Sequence, residues 1–174
     1  MTATWDLSNP TCEETAAMPG IQDLLDGDCI IEDMQATDKT GVIREFASLL
    51  RRTDRIRDEE HLVSVILQRE TTTTGIGDGI AIPHGRLKDI PGVIVAFGRS
   101  RKGVDFQSMD NKPVHLFFLF VSPESRPEVH LSTLRRLARV TRSSVLRERL
   151  IHATNRLEMQ KLILEEDGRY ADTR

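Results

Sequence analysis

The chain has 174 residues, 39% of them apolar and 29% charged, with a formal net charge of −3. That balance excludes a disordered or low-complexity chain and predicts a single folded domain, able to bury roughly two thirds of its unfolded surface without disulfide or metal staples. The small negative charge gives no global field favouring nucleic acid or an anionic membrane, and Cys12 and Cys29, with no CxxC spacing, suggest neither a zinc site nor a disulfide framework.

The first twenty residues have no basic start and no continuous apolar run, so they do not read as a signal peptide. Polar and carrying Pro10 and Pro19, residues 1–20 are expected to form a mobile extension or a loosely docked arm, with the domain over 21–168 and a short tail over 169–174. Ile21, Leu24 and Leu25 suggest a helical turn, and Cys29 to Ile31 an extended piece. Asp38 is a cap candidate, followed by Val42, Ile43, Phe46, Leu49 and Leu50 at the spacing of an amphipathic helix. A second helix is predicted from Asp58 through Leu62, Val63, Ile66 and Leu67 toward Arg69. It should end at Thr71 to Thr74, four β-branched residues that disfavour a helix, before the glycines at 75, 77 and 79.

Val93 to Phe97 and Val114 to Val121 read as strands buried on both faces, joined by the turn-rich KGVDFQSMDNKP. Leu116 to Val121, the longest strongly apolar run, is far short of the ~20 residues a membrane helix needs, so a soluble, cytoplasmic protein is expected. Helical spacing returns with Leu131, Leu134, Leu137 and Val140, then with Val145, Leu146 and Leu150 after Ser143. Asn155 and Glu158 make a capping-box start for a last helix with a stripe of Met159, Leu162 and Ile163. The arginines at 51, 52, 55 and 57 and at 135, 136, 139, 142, 147 and 149 read as solvated faces, because no nucleic-acid motif accompanies them. Strands alternating with helices predict an α/β layered fold.

The chemistry concentrates in TGIGDGIAIPHGR, residues 74–86. Glycines there let backbone amides turn toward an anion, and Pro83 restricts both itself and Ile82, so His84 is expected to be presented rather than buried, with Gly85 leaving room beside it. The segment lacks the Lys of a GxxxxGK[ST] phosphate loop, and Ile80 stands where a dinucleotide fingerprint needs its third glycine, so nucleotide binding is disfavoured. On spacing alone, a tight glycine turn beside a surface histidine is an equally good reading. His61, His115 and His152 read as structural or solvent-facing, and no metal or cofactor is expected.

TGIGDGIAIPHGR resembles the phosphorylation-site signature of the IIA domains of the fructose/mannitol family of the phosphotransferase system, closest to its nitrogen-regulatory members. The resemblance continues through the Arg69-Glu70 pair, VDFQSMDNKPVHLFFLF and HLSTLRRLAR, over about residues 21–168. It implies an α/β fold with a mixed sheet flanked by helices on both sides. It also implies that His84 accepts a phosphoryl group through Nε2, that His130 hydrogen-bonds the phosphoryl oxygens and that Arg69 offsets their charge. Thr74, Gly75, Gly77, Gly79 and Gly85 would form the phosphate-binding loop.

Histidine suits this task because its ring is nearly neutral at cellular pH, leaving a nucleophilic nitrogen without a strong base. The partners implied are an HPr-like phosphocarrier as donor and, as acceptor or target, a IIB domain or a regulated protein. Because no IIB or IIC segment accompanies the motif, a regulatory IIA protein is the expectation. A sugar-transport IIA component and a binding module that keeps the fold without phosphate are the alternatives.

Overall fold

The computed structural model describes residues 19–171. The extension expected over 1–20 therefore lies outside the described residues apart from Pro19 and Gly20, as do the last three residues of the expected tail.

The order of elements is helix α1 (Ile21–Leu24), strand β1 (Leu25–Ile31), helices α2 (Lys39–Arg52) and α3 (Glu59–Arg69), strands β2 (Gly75–Gly77), β3 (Ile80–Ala81), β4 (His84–Leu87), β5 (Ile94–Val104) and β6 (Val114–Pro123), and helices α4 (Pro127–Thr141), α5 (Ser144–His152) and α6 (Arg156–Ala171). Local chemistry sets several of these starts. Asp38, Asp58 and Ser143 each accept a hydrogen bond from an otherwise orphaned amide, of Gly41, His61 and Leu146 respectively, and losing such a cap costs about 1 kcal/mol. At α6 the Asn155 side chain accepts from the Glu158 amide, while the Glu158 carboxylate reaches back to the Thr154 amide and hydroxyl.

The sheet is mixed, in the order β1-β5-β6-β3-β2, with β1 parallel to β5 and β5 antiparallel to β6. β3 and β4 lie end to end along one flank of β6, both parallel to it and in one continuous register, Ile80 opposite Leu116 and His84 opposite Phe120. The break between them is Ile82-Pro83, where proline has no amide to give the ladder.

Helices cover both faces. Phe117, Leu119 and Val121 of β6 face a core with Val42, Ile43 and Phe46 of α2 and Leu62, Val63 and Ile66 of α3. The alternate residues Leu116, Phe118 and Phe120 face the other core, with Ile21 of α1, Leu137 and Val140 of α4, Leu146 and Leu150 of α5, and Met159 and Ile163 of α6. Two covered faces explain why this strand is apolar at nearly every position. The layered fold expected from the element pattern, and the flanked mixed sheet implied by the resemblance, are both observed.

β5 runs seven residues past the predicted end at Phe97. Its polar continuation disguised it. Arg99 is 1% exposed, yet it is accommodated because its guanidinium donates to the carbonyls of Glu32, Leu150, Ile151 and Ala153. Three of those carbonyls close the C-terminal end of α5, where a cation is favoured.

Candidate functional site

β4 pairs with β6 on one side only, and at its open flank a cavity of about 240 Å³ is lined by Val65 and Arg69 of α3, His84, Gly85 and Arg86 of β4, and His130 of α4. One helix of each layer thus reaches the same sheet edge. Arg69 is the last residue of α3, and His130 sits in the first turn of α4, its amide bonded to the Arg126 carbonyl.

His84 is 5% exposed, so the ring is buried rather than presented, with its access to the outside through the cavity it lines. Its position opposite Phe120 stacks the two rings at 5.1 Å with an interplanar angle of 10°. Nδ1 lies 2.7 Å from the Ile82 carbonyl oxygen. A carbonyl only accepts, so Nδ1 carries the proton and, in the neutral ring, Nε2 holds the lone pair. Burial is the chief cause holding the His84 pKa below the usual imidazole value; the Ile82 bond opposes it, and Arg69 adds to the depression.

The His130 ring stands 5.3 Å from that of His84, tilted by 56°, and 5.0 Å from Phe120. Its Nδ1 is 2.6 Å from the Ser122 hydroxyl. Burial first, then repulsion from His84, Arg86 and Arg69, lowers its pKa to about 4. Both rings are therefore neutral near pH 7. The arrangement offers one nucleophilic nitrogen, a second imidazole and two guanidinium groups around a small cavity, a set suited to a group that brings negative charge.

The structure thus brings together His84, His130, Arg69 and Gly85. It does not bring Thr74, Gly75, Gly77 or Gly79 to the cavity. The segment expected as a phosphate loop is instead a short hairpin, β2 against β3, whose turn has positive φ at Gly77, Asp78 and Gly79. The amide of Asp78 in that turn donates to the Asp110 carboxylate at 3.0 Å. Gly75 is packed against Ser108, and Gly79 faces His115. Thr74 is buried, its amide and hydroxyl both bonded to the Glu70 carboxylate, which also pairs with Lys39 at 3.3 Å. His115 bonds the Ser100 carbonyl, and His61 and His152 are exposed.

Sequence reasoning missed Arg86, Ser122 and Phe120. Arg86 closes the motif itself, and its place two residues after His84 on a strand was a usable signal. Ser122 and Phe120 reach the two histidines only through the pairing of β6 with β4, which no local pattern announces.

The family model for the phosphoenolpyruvate-dependent sugar phosphotransferase system, EIIA 2, matches residues 23–166. The chain is 33% identical over 148 residues to the PTS system fructose-specific EIIABC component of Bacillus subtilis (strain 168), a match covering 84% of this chain but 23% of that protein. It is 34% identical over 131 residues to a nitrogen regulatory protein of Bradyrhizobium diazoefficiens, covering 75% of this chain and 85% of the relative. Among solved structures, the nitrogen regulatory protein IIA-Ntr from Neisseria meningitidis superposes with a TM-score of 0.77 at 31% identity, covering 82% of this chain and 98% of that one. Among the described residues no helix is long and apolar enough to cross a membrane.

Proposed function

The chain belongs to the EIIA type 2 family of the phosphoenolpyruvate-dependent sugar phosphotransferase system, whose members are phosphoryl-transfer components, and from that premise we propose that it carries a phosphoryl group on Nε2 of His84. The observation that carries this reading is the commitment of Nδ1 to the Ile82 carbonyl, which leaves Nε2 as the ring's lone pair.

The donor is an HPr-like phosphohistidine protein. In the transfer the P–N bond of the donor breaks, its imidazole leaves with the bonding pair, and a new P–N bond forms to His84 Nε2. The proton on His84 Nδ1 stays where it is, so the product is a ring carrying a proton on one nitrogen and the phosphoryl group on the other. That ring is a good leaving group for the next acceptor, and the Ile82 carbonyl supports its positive charge. Because the transition state is loose, with charge spread over the equatorial oxygens, positioning and electrostatics supply most of the acceleration. Arg69 and Arg86 offset that charge, and His130 donates a hydrogen bond to a phosphoryl oxygen. Gly85, having no side chain, lets α3 pack against β4 closely enough for Arg69 to line the same cavity.

The likeness to nitrogen regulatory proteins supports a regulatory IIA protein that binds its targets according to its phosphorylation state. The fructose-specific relative supports the second reading, a sugar-transport component that hands the group to a IIB domain. One experiment addresses both. Phosphoenolpyruvate labelled with 32P, enzyme I and an HPr-type donor should place one acid-labile phosphate on the wild type and none on His84→Ala. Failure to label the folded wild type would leave only a phosphate-free binding module. Discharge of the labelled protein by a fructose-type IIB domain would favour transport.

A further inference from the structure

His130 can donate to a phosphoryl oxygen only if its proton sits on Nε2, and a neutral imidazole is free to hold that proton on either nitrogen. What selects the tautomer is the partner of the other nitrogen. Here that partner is Ser122, fully buried near the end of β6, with its hydroxyl 2.6 Å from Nδ1. A hydroxyl could donate to Nδ1 or accept from it, so distance alone does not decide.

The surroundings decide. Among the described residues the Ser122 hydroxyl has no hydrogen-bond partner besides His130, and its complete burial excludes bulk water. If Nδ1 carried the proton and the serine accepted it, the hydroxyl hydrogen would be stranded in the interior. A stranded buried donor biases an equilibrium by on the order of tenfold or more. If instead the serine donates, its hydrogen is satisfied, Nδ1 is satisfied, and the remaining ring nitrogen keeps its proton at the cavity that His130 lines.

We propose that Ser122 is a positioning residue that sets the His130 tautomer, donating to Nδ1 so that Nε2–H is the ring's only donor to a phosphoryl group on His84. The two histidines are then held in opposite tautomers by opposite partners. A carbonyl, which only accepts, turns His84 into a nucleophile; a hydroxyl with nowhere else to donate turns His130 into a donor. The inverted tautomer of His130 would point a lone pair at phosphoryl oxygens and repel them. Strand geometry supports the arrangement, because Ser122 lies two residues beyond Phe120 on the same face of β6, and the Phe120 ring packs beside the His130 ring that the hydroxyl holds. The depressed basicity of His130 keeps it neutral, so that tautomer matters at pH 7.

This inference rests on the carrier reading, and its test separates the two. In the full-length 15N-labelled wild type, two-bond 1H–15N spectra of the histidine rings should show His130 protonated at Nε2 and His84 protonated at Nδ1. Ser122→Ala should populate both tautomers of His130 and slow labelling of His84 from the HPr-type donor about tenfold, with the label still on His84. Ser122→Cys, whose thiol is a weak donor, should fall between. An Nδ1-protonated His130 in the wild type overturns the proposal, as does a folded Ser122→Ala protein that keeps both the wild-type tautomer and the wild-type rate. If Ser122→Ala does not fold, the wild-type spectrum alone decides. Absence of any label on wild-type His84 would sink the carrier reading, while the tautomer is still read from the spectrum.

Discussion

Gly85→Ala tests the link between packing and the site. The backbone at Gly85 is not left-handed, so alanine is conformationally allowed and the whole cost is steric. A Cβ there would lie 2.9 Å from Val65 Cγ1 and 3.4 Å from Ile66 Cγ1, with the Ile66 amide nitrogen at 4.0 Å. Ordinary carbon contacts need ~3.5–4.0 Å, so the facing surfaces must separate by about 0.6–1 Å. Val65 cannot easily rotate away, because a valine in a helix is locked near one χ1 value. The relief is a shift of α3 from β4. Overpacking of this kind costs about 1–3 kcal/mol, which in a domain of this size lowers the melting temperature by roughly 2–12 °C. Arg69 rides on the same helix one turn beyond Val65, so its guanidinium moves away from His84 as well. Misplacement approaching 1 Å costs up to ~100-fold in rate, and a fall of about tenfold in labelling of His84 is expected. The assay pairs thermal unfolding with single-turnover labelling, against Gly92→Ala as control, where an added Cβ meets nothing within 4 Å. Gly85→Ala behaving like Gly92→Ala in both measurements would refute the reasoning.

The other expectations concern stability. Arg99→Met keeps the aliphatic stem but strips donors from the carbonyls of Glu32, Leu150, Ile151 and Ala153; the relief of burying a charge offsets part of that loss, leaving a net destabilisation of about 2–4 kcal/mol, measurable as a lower urea midpoint. For pH, His130 is neutral in the fold down to about pH 4, whereas an unfolded histidine binds its proton near pH 6.5. The unfolded state therefore binds more protons between those values, so this contribution is fully present above pH 6.5 and is lost as pH falls toward 4, by about 3 kcal/mol in all. His84, lowered in the same direction, adds to the loss. His130→Gln should flatten the fall in urea midpoint between pH 6.5 and 4, and an unchanged pH profile in that variant would refute the assignment.

Much of the frame was written in local patterns. Asp38, Asp58 and Ser143 announced their helices because a cap is a contact between residues three apart, and the apolar run of β6 announced a strand covered on both faces. The strand carrying Arg99 was cut short because a buried cation reads as surface until the carbonyls that receive it are known, and three of the four come from the end of a helix some fifty residues away. His84 in its motif, and His130 and Arg69 named by resemblance, were expected together, and all three line one cavity. What the glycine turn faces was not legible, because Asp110, whose carboxylate receives the Asp78 amide, stands more than thirty residues on.

The sequence by itself determined which elements form and which imidazole stands after Ile-Pro, since both depend on neighbours a few bonds away. Only the tertiary structure decided that His84 is nearly closed off, that its Nδ1 is spent on Ile82, that Arg86 lines the same cavity and that Ser122 bonds His130. Those facts come from setting β4 beside β6 between two helical layers, and a tautomer or a depressed pKa exists only once distant groups are brought within hydrogen-bond reach and water is expelled from between them.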